Sequence, residues 1–387
     1  TIVAARVTED GLARLAELGY VRRVELDMVS PWDPPVDVTA AEIGAHAVWA
    51  RLDTAGLPLT GAGVVVADID SGIDPFHPAF FRADGAYYDW IDVDGDGRFT
   101  PGADAVDLNG NGQPDVGESV GFWDGVAYSL RTFDPILDTD DGVYDLGWDH
   151  LYVDTNDNGE RDYGPGQGYT DDDPTFGEPL LVPDDVNGNG ALDPGERLVG
   201  LHTSKIRAVY GGGTTYERGV SLTAVEVTSD AMHGTGVSGI VLGGQRGFTR
   251  LVGIAPEADL LLASTYDPNN QSGDMLPLLT WSVQQGADVM LHEYAPWAGH
   301  HLDGSSNHER FMNSAAANGV AQVNPAGNLG GSDKHMLTAV PTQGQRAVPL
   351  LVPQAQYPGE PDYHFLQISL LWRAPERDLG FVLTTPG

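Results

Sequence analysis

The sequence predicts an α/β protein: a doubly wound, mostly parallel sheet, interrupted by a long acidic loop insertion and followed by a β-rich C-terminal segment. Three observations predict it. The run Gly63-Val64-Val65-Val66-Ala67-Asp68-Ile69-Asp70 is β-branched without polar alternation, which suits a parallel strand buried on both faces. From Val225 onward helical and strand-like segments alternate, as in βα units that cover a parallel sheet on both sides. Between these regions, residues 90–200 are rich in Asp, Asn, Gly and Pro and show neither period, so they read as loops.

In chain order, residues 1–29 read as strand, helix, strand. Ile2 to Val7 is apolar and β-branched, Thr8 can cap a helix carrying Leu12, Leu15 and Leu18 on one face, and Tyr20 to Leu26 returns to a strand-like mix. The stretch Ser30-Pro31-Trp32-Asp33-Pro34-Pro35 reads as a linker. A main domain over 30–344 follows. Its expected elements are a helix at Ala40 to Leu52, the strand ending at Asp70, and a helix at His233 to Leu242. A strand at Leu260 to Ser264, a helix at Met275 to Gln285 and a strand at Ala287 to Leu291 come next. A helix at Asn307 to Ala317 and a strand at Val320 to Val323 complete it. In 345–387, Ala347 to Val352, His364 to Trp372 and Leu379 to Thr384 look like antiparallel strands of a further β subdomain.

Composition narrows the function. The chain has 387 residues, with 56 acidic against 20 basic side chains and a net charge of −36. That balance argues against nucleic acid, whose binding rests on Lys and Arg contacts to phosphate. Twenty-six of the acids fall between Asp92 and Glu196, opposed there only by Arg98, Arg131 and Arg161. Charge so dense repels itself unless cations sit among it, which favours metal. No cysteine is present, which excludes disulfides, thiolate metal sites and cysteine nucleophiles. No apolar run approaches the roughly 20 residues of a membrane-spanning helix. The chain opens at Thr1 without Met, so a processed terminus is expected.

Three segments carry candidate chemistry. Asp68-Ile69-Asp70-Ser71-Gly72-Ile73-Asp74 places a carboxylate at the C-terminal tip of a buried strand, where open α/β sheets locate their sites. His233-Gly234-Thr235-Gly236-Val237-Ser238-Gly239 puts an imidazole at the start of a helix made of small residues. Asn324-Pro325-Ala326-Gly327-Asn328-Leu329-Gly330 places an amide in a Gly-rich turn after a strand. In this order, and with His77-Pro78 shortly after the first, these segments resemble the Asp, His and Asn motifs of the subtilases, the subtilisin-like serine proteases. The resemblance implies a doubly wound subtilisin-like fold and a division of labour. His233 would be the general base and acid, Asp70 would orient it, and Asn328 would donate to the oxyanion. Residues 1–29 resemble the closing half of that family's inhibitory propeptide, implying a zymogen with its own propeptide as a partner.

Two departures accompany the resemblance. The family's nucleophile lies in a Gly-Thr-Ser-x-Ala-x-Pro segment, and none occurs before Gly387, so the serine is expected on a C-terminal remainder of the protein. Where the family has a cleft strand ending in Ser-x-Gly, this chain reads Leu291-His292-Glu293-Tyr294-Ala295-Pro296.

The insertion carries a second pattern. Asp107, Asn109, Asn111, Gly112 and Glu118, and again Asp185, Asn187, Asn189, Gly190 and Glu196, match the twelve-residue calcium loop with alternate oxygen ligands and a closing Glu. Gln113 and Ala191 hold the seventh position, which offers a backbone carbonyl, and Asp115 and Asp193 the ninth. Asp92, Asp94 and Asp96, and Asp154, Asn156 and Asn158, begin two further loops that lack the Glu. Asp104 and Asp162 are the candidate substitutes. Structural Ca2+ and a secreted or periplasmic setting are therefore expected. The reading is a calcium-stabilised serine endopeptidase acting on protein or peptide substrates. The alternative is an inactive calcium-binding adhesion module on the same scaffold.

Overall fold

The computed structural model describes residues 36–123, 142–266, 274–294, 303–327 and 336–350, with 368, 370–372 and 376–384 near the C-terminus. The propeptide-like segment 1–29 lies outside the described residues. Two short helices open the description, α1 (Val36–Glu42) and α2 (Ala45–Trp49). They stand where one helix was expected, and Gly44, at φ 76°, turns the chain between them.

Strand β1 (Val65–Asp70) is buried along its whole length and occupies the middle of a six-stranded sheet. It pairs in parallel with β10 (Asp259–Ser264) on one side and β11 (Val289–His292) on the other. Beyond β11 lies β12 (Ala321–Val323), and beyond β10 lies β8 (Ile206–Gly211), both parallel. Strand β9 (Thr214–Glu217) closes that edge antiparallel. Helix α3 (Ala231–Leu242) covers one face, and α4 (Leu276–Gln284) and α5 (Asn307–Ala317) belong to the other. The α/β expectation therefore holds, with each expected strand and helix from Val225 to Val323 found within a few residues of its predicted span.

The two-residue period of a strand sorts β1 between these layers. Val65, Ala67 and Ile69 pack with Leu261, Ala263, Met290, Leu278 and Trp281 on the α4 side. Asp68 and Asp70 therefore share the opposite face with α3. Each fully buried aliphatic side chain contributes about 1.5–3 kcal/mol relative to exposure, enough in sum to hold two carboxylates inside. At the far end of α3, buried Lys205 donates to the carbonyls of Leu242 and Gly244. Burial pushes its ammonium down to about 7.

The insertion corrects the sequence reading. It is not an irregular loop region but a closed six-stranded antiparallel barrel. Its strands are β2 (Tyr87–Ile91), β3 (Ala105–Asp107), β4 (Ser119–Trp123), β5 (His150–Asp154), β6 (Leu180–Asp184) and β7 (Arg197–Gly200). Val106, Val120, Leu151, Val153, Leu181 and Leu198 fill its interior. The alternate residues Tyr152, Leu180, Val182 and Val199 face outward onto Phe76, Phe80 and Phe81 of the sheet domain. The strands escaped notice because they are three to five residues long and several are buried on both faces, so no polar alternation marks them.

The C-terminal β-rich expectation is not confirmed. Among the described residues of 345–387 no strand forms, and Leu379 to Thr384 is exposed. Strand propensity expresses packing against neighbours, and these residues pair with no described strand. Residues 351–367, which include the end of the first expected strand and the start of the second, lie outside the described residues.

Candidate active site

Asp70 ends β1 at the sheet's C-terminal rim. β10 and β11, consecutive in sequence, flank β1 on opposite sides, so a crevice opens beside its tip. His233 stands in the first turn of α3. Its Nδ1 lies 2.8 Å from Asp70 Oδ1 and 2.9 Å from Oδ2. The carboxylate side chain is 2% exposed and the imidazole 62%. With Nδ1–H donated to the carboxylate, Nε2 holds its lone pair toward solvent, the tautomer a general base requires.

Glycine makes this approach possible. A Cβ on Gly234 would lie 2.1 Å from the Gly72 carbonyl oxygen and 3.2 Å from the Asp70 Cβ and Cγ, so no larger residue lets α3 sit this close. Polar ties fix the rest. The Ser71 N–H donates to Asp70 Oδ1, and Ser71 Oγ donates to the Asp230 carbonyl. Thr235 Oγ1 donates to Ala231 O at 2.7 Å and accepts the Asp74 N–H at 2.9 Å. Ser264 Oγ donates to the Ser71 carbonyl at 2.9 Å.

Asp68 was not singled out by sequence, although its position two residues before Asp70 places it on the same face. Ser238 Oγ on α3 donates to Asp68 Oδ2 at 2.8 Å, while Oδ1 is buried without a partner among the described residues. Burial, then the neighbouring Asp70 charge, pushes this carboxyl well above its usual range. Asp68 and Asp70 thus bind α3 at two points, one turn and a half apart along the helix.

Asp70, His233, Asp230, Met275, Glu293 and Tyr294 are among the residues lining a cavity of about 420 Å³. Asn328 lies outside the described residues, as do His300 and His301. His292 is a packing residue: fully buried, it meets Gln322 Oε1 at 2.9 Å and the Tyr294 hydroxyl at 3.3 Å. His77 caps a turn, its Nδ1 accepting the Ala79 N–H.

The four acidic loops all join barrel strands, two at each end, since the meander alternates direction. Each uses one scheme. The first carboxylate accepts the amide of the sixth-position glycine: Asp92 from Gly97 (2.9 Å), Asp107 from Gly112 (2.9 Å), Asp154 from Gly159 (2.7 Å) and Asp185 from Gly190 (2.8 Å). A closing carboxylate then bridges an amide near the loop's start and that of the ninth residue. Glu118 accepts from Leu108 and Asp115, and Glu196 from Asn187 and Asp193. Asp104 does the same for Val93 and Thr100.

In the third loop the closing group is Glu178, which accepts from Thr155 at 2.7 Å and Asp162 at 2.9 Å. This corrects the expectation for Asp162, which takes the ninth position and accepts from Asn156 and Asn158. Glu178 lies far outside the twelve-residue frame, so spacing could not find it. The donor sets are all oxygen, and carboxylate oxygens of Asp92, Asp94 and Asp96 lie within 4.8 Å of one another, which fits a hard divalent cation. In the other loops asparagine amides point at the ninth-position aspartate, for instance Asn109 and Asn111 at Asp115 (2.7 Å each) and Asn187 and Asn189 at Asp193. A half-turn of each of these amides would present oxygen to the aspartate's side of the loop.

The site is thus a carboxylate-oriented imidazole at the rim of a doubly wound sheet, opening on a cleft. The profile of the Subtilase family matches residues 61–355, and the chain belongs to that family of subtilisin-like serine proteases. A solved structure similar to part of the chain is titled "Structure of the Clostridium Perfringens CspB protease". The two share 14% identity with a TM-score of 0.35 over 75% of this chain and 40% of that one. The chain thus spans 40% of that protein's length. No curated protein matches the sequence. Among the described residues no helix is long and apolar enough to cross a membrane.

Proposed function

We propose that this chain is the core of a calcium-stabilised serine endopeptidase that hydrolyses peptide bonds with a Ser-His-Asp triad. The observation that carries the reading is the bond from His233 Nδ1 to both oxygens of buried Asp70, with the imidazole's other edge open to the cleft. His233 takes the proton from a serine hydroxyl as it attacks the carbonyl and returns it to the leaving amine. Asp70 holds the tautomer and stabilises the imidazolium without taking the proton itself. Asn328 donates to the oxyanion of the tetrahedral intermediate. The serine lies on sequence beyond these 387 residues, and residues 1–29 serve as the propeptide.

The barrel loops would hold Ca2+. The first uses Asp92, Asp94, Asp96 and Asp104, and the second Asp107, Asn109, Asn111, the Gln113 carbonyl, Asp115 and Glu118. The third uses Asp154, Asn156, Asn158, Asp162 and Glu178, and the fourth Asp185, Asn187, Asn189, the Ala191 carbonyl, Asp193 and Glu196. These residues would hold the ion among carboxylates that otherwise repel one another. Such loops in extracellular modules fill near millimolar calcium, which supports a setting outside the cell or in the periplasm.

Fluorophosphonate labelling of the full protein, with and without EDTA, tests the enzyme reading. Calcium-loaded protein should label and His233→Ala should not. Absence of labelling in fully processed, calcium-loaded protein would overturn the assignment.

A further inference from the structure

We propose that Glu293 makes the cleft selective for a peptide residue with a positively charged side chain, lodged beside the Asp70–His233 pair. The proposal rests on the protease reading and names the substrate class of that same cleft.

Glu293 follows directly on β11, and its N–H donates to the Ile69 carbonyl at 3.1 Å, one residue before Asp70. That tie sets its side chain at the tip of β1, in the wall of the cavity of about 420 Å³ that also holds Asp70 and His233. Asp70 is already committed to His233 and Ser71. Glu293 is not: among the described residues its carboxylate accepts no hydrogen bond, and no Lys or Arg lines the cavity.

A half-buried carboxylate normally meets a cation or a donor within the protein. Here burial and the Asp70 charge push Glu293 upward while His233 draws it back, so the group stands in an acidic recess with one shared imidazole. An incoming ammonium or guanidinium would supply the missing partner. Met275 and the Tyr294 ring, in the same wall, offer apolar surface for the methylene stem of such a side chain. An acidic substrate side chain would meet Asp70, Asp230 and Glu293 together and be repelled.

The test uses pairs of fluorescent peptides in which one arginine is stepped along a neutral sequence, each paired with a twin carrying uncharged citrulline. Binding to the calcium-loaded protein is followed by anisotropy, in the His233→Ala background so that nothing is cleaved. At one position arginine should bind roughly 10–100-fold more tightly than citrulline, the range for hydrogen bonds to a charged group. Glu293→Gln should erase that ratio, and an unchanged thermal unfolding midpoint shows that the variant is folded. Equal affinities for every pair, or a preference that survives Glu293→Gln, would overturn the specificity and leave the cleft reading standing. Failure of every peptide to bind would take down both.

Discussion

The sheet domain and the inserted barrel handle buried charge in opposite ways. Around β1, two carboxylates are enclosed by apolar packing, and each is met by one side chain of α3: Asp70 by His233 and Asp68 by Ser238. In the barrel the carboxylates crowd the loop ends and are met by backbone amides, as Glu178 is by Thr155 and Asp162. The first arrangement stands on hydrophobic burial and needs no ion. The second leaves negative charge in surplus, with 26 acids against three arginines between Asp92 and Glu196. A polar group held by packing can serve chemistry, because its partner is one orientable side chain. One held by amides serves architecture, because its partner is the chain itself.

That contrast can be broken most sharply at Asp70. Asp70→Asn keeps the shape of the pair but inverts the donor and acceptor roles facing Nδ1, so kcat should fall about 10⁴-fold, as the wrong tautomer does in a triad. Thermal unfolding should barely move. A loss of kcat within tenfold would mean that the pair is structural.

Calcium removal probes the other half. Each loop filled at a hundredfold excess over its Kd contributes about 2.7 kcal/mol, which EDTA should abolish. Hydrogen exchange should speed up first at the glycine amides of Gly97, Gly112, Gly159 and Gly190, while those of β1 and β10 stay protected. Uniform acceleration in both regions would contradict the division drawn here.

Glu178→Gln narrows the question to one loop. Glutamine offers a single acceptor to two amides and no charge, at a cost of roughly 1.5–3 kcal/mol. Titration by calorimetry should show one fewer calcium bound, and an unchanged stoichiometry would remove Glu178 from the site.

The smallest effect is expected at Asp68. Its folded carboxyl is raised by burial and by Asp70, so the native state holds a proton that the unfolded chain releases. Its contribution is therefore complete below the unfolded carboxyl range and is lost as pH rises through the folded value. Asp68→Asn should stabilise by about 1 kcal/mol at neutral pH, the scale of a buried unsatisfied acceptor, with the gain vanishing toward pH 4. Urea unfolding at the two pH values measures it, and destabilisation at neutral pH would show that Asp68 is ionised and paired.

Four of the sheet's six strands were legible, β1 and β10 as six-residue apolar runs and β11 and β12 through their alternation with helices, whereas β8 and β9 were not expected. Val64 to Ile69 has no plausible place except inside, and the small residues after His233 admit only a close helix. The barrel was not legible because its strands, such as Ala105–Asp107 and Arg197–Gly200, are shorter than any reliable period. Loop residues dominate its composition, and partners such as Tyr87 and Val199 lie over a hundred positions apart.

By itself the sequence determined the chemistry at each position: which residue could accept a proton, which glycine could let a helix approach, and which oxygens stood at alternate positions of a loop. Tertiary structure alone decided proximity. It closed 162 intervening residues to a 2.8 Å contact between Asp70 and His233, and recruited Glu178 into a loop that local spacing had left open. Spacing along a chain constrains only neighbours within a turn or a strand, whereas partners this distant meet through the packing of whole layers, and that is settled by the buried apolar faces and not by the polar residues that benefit.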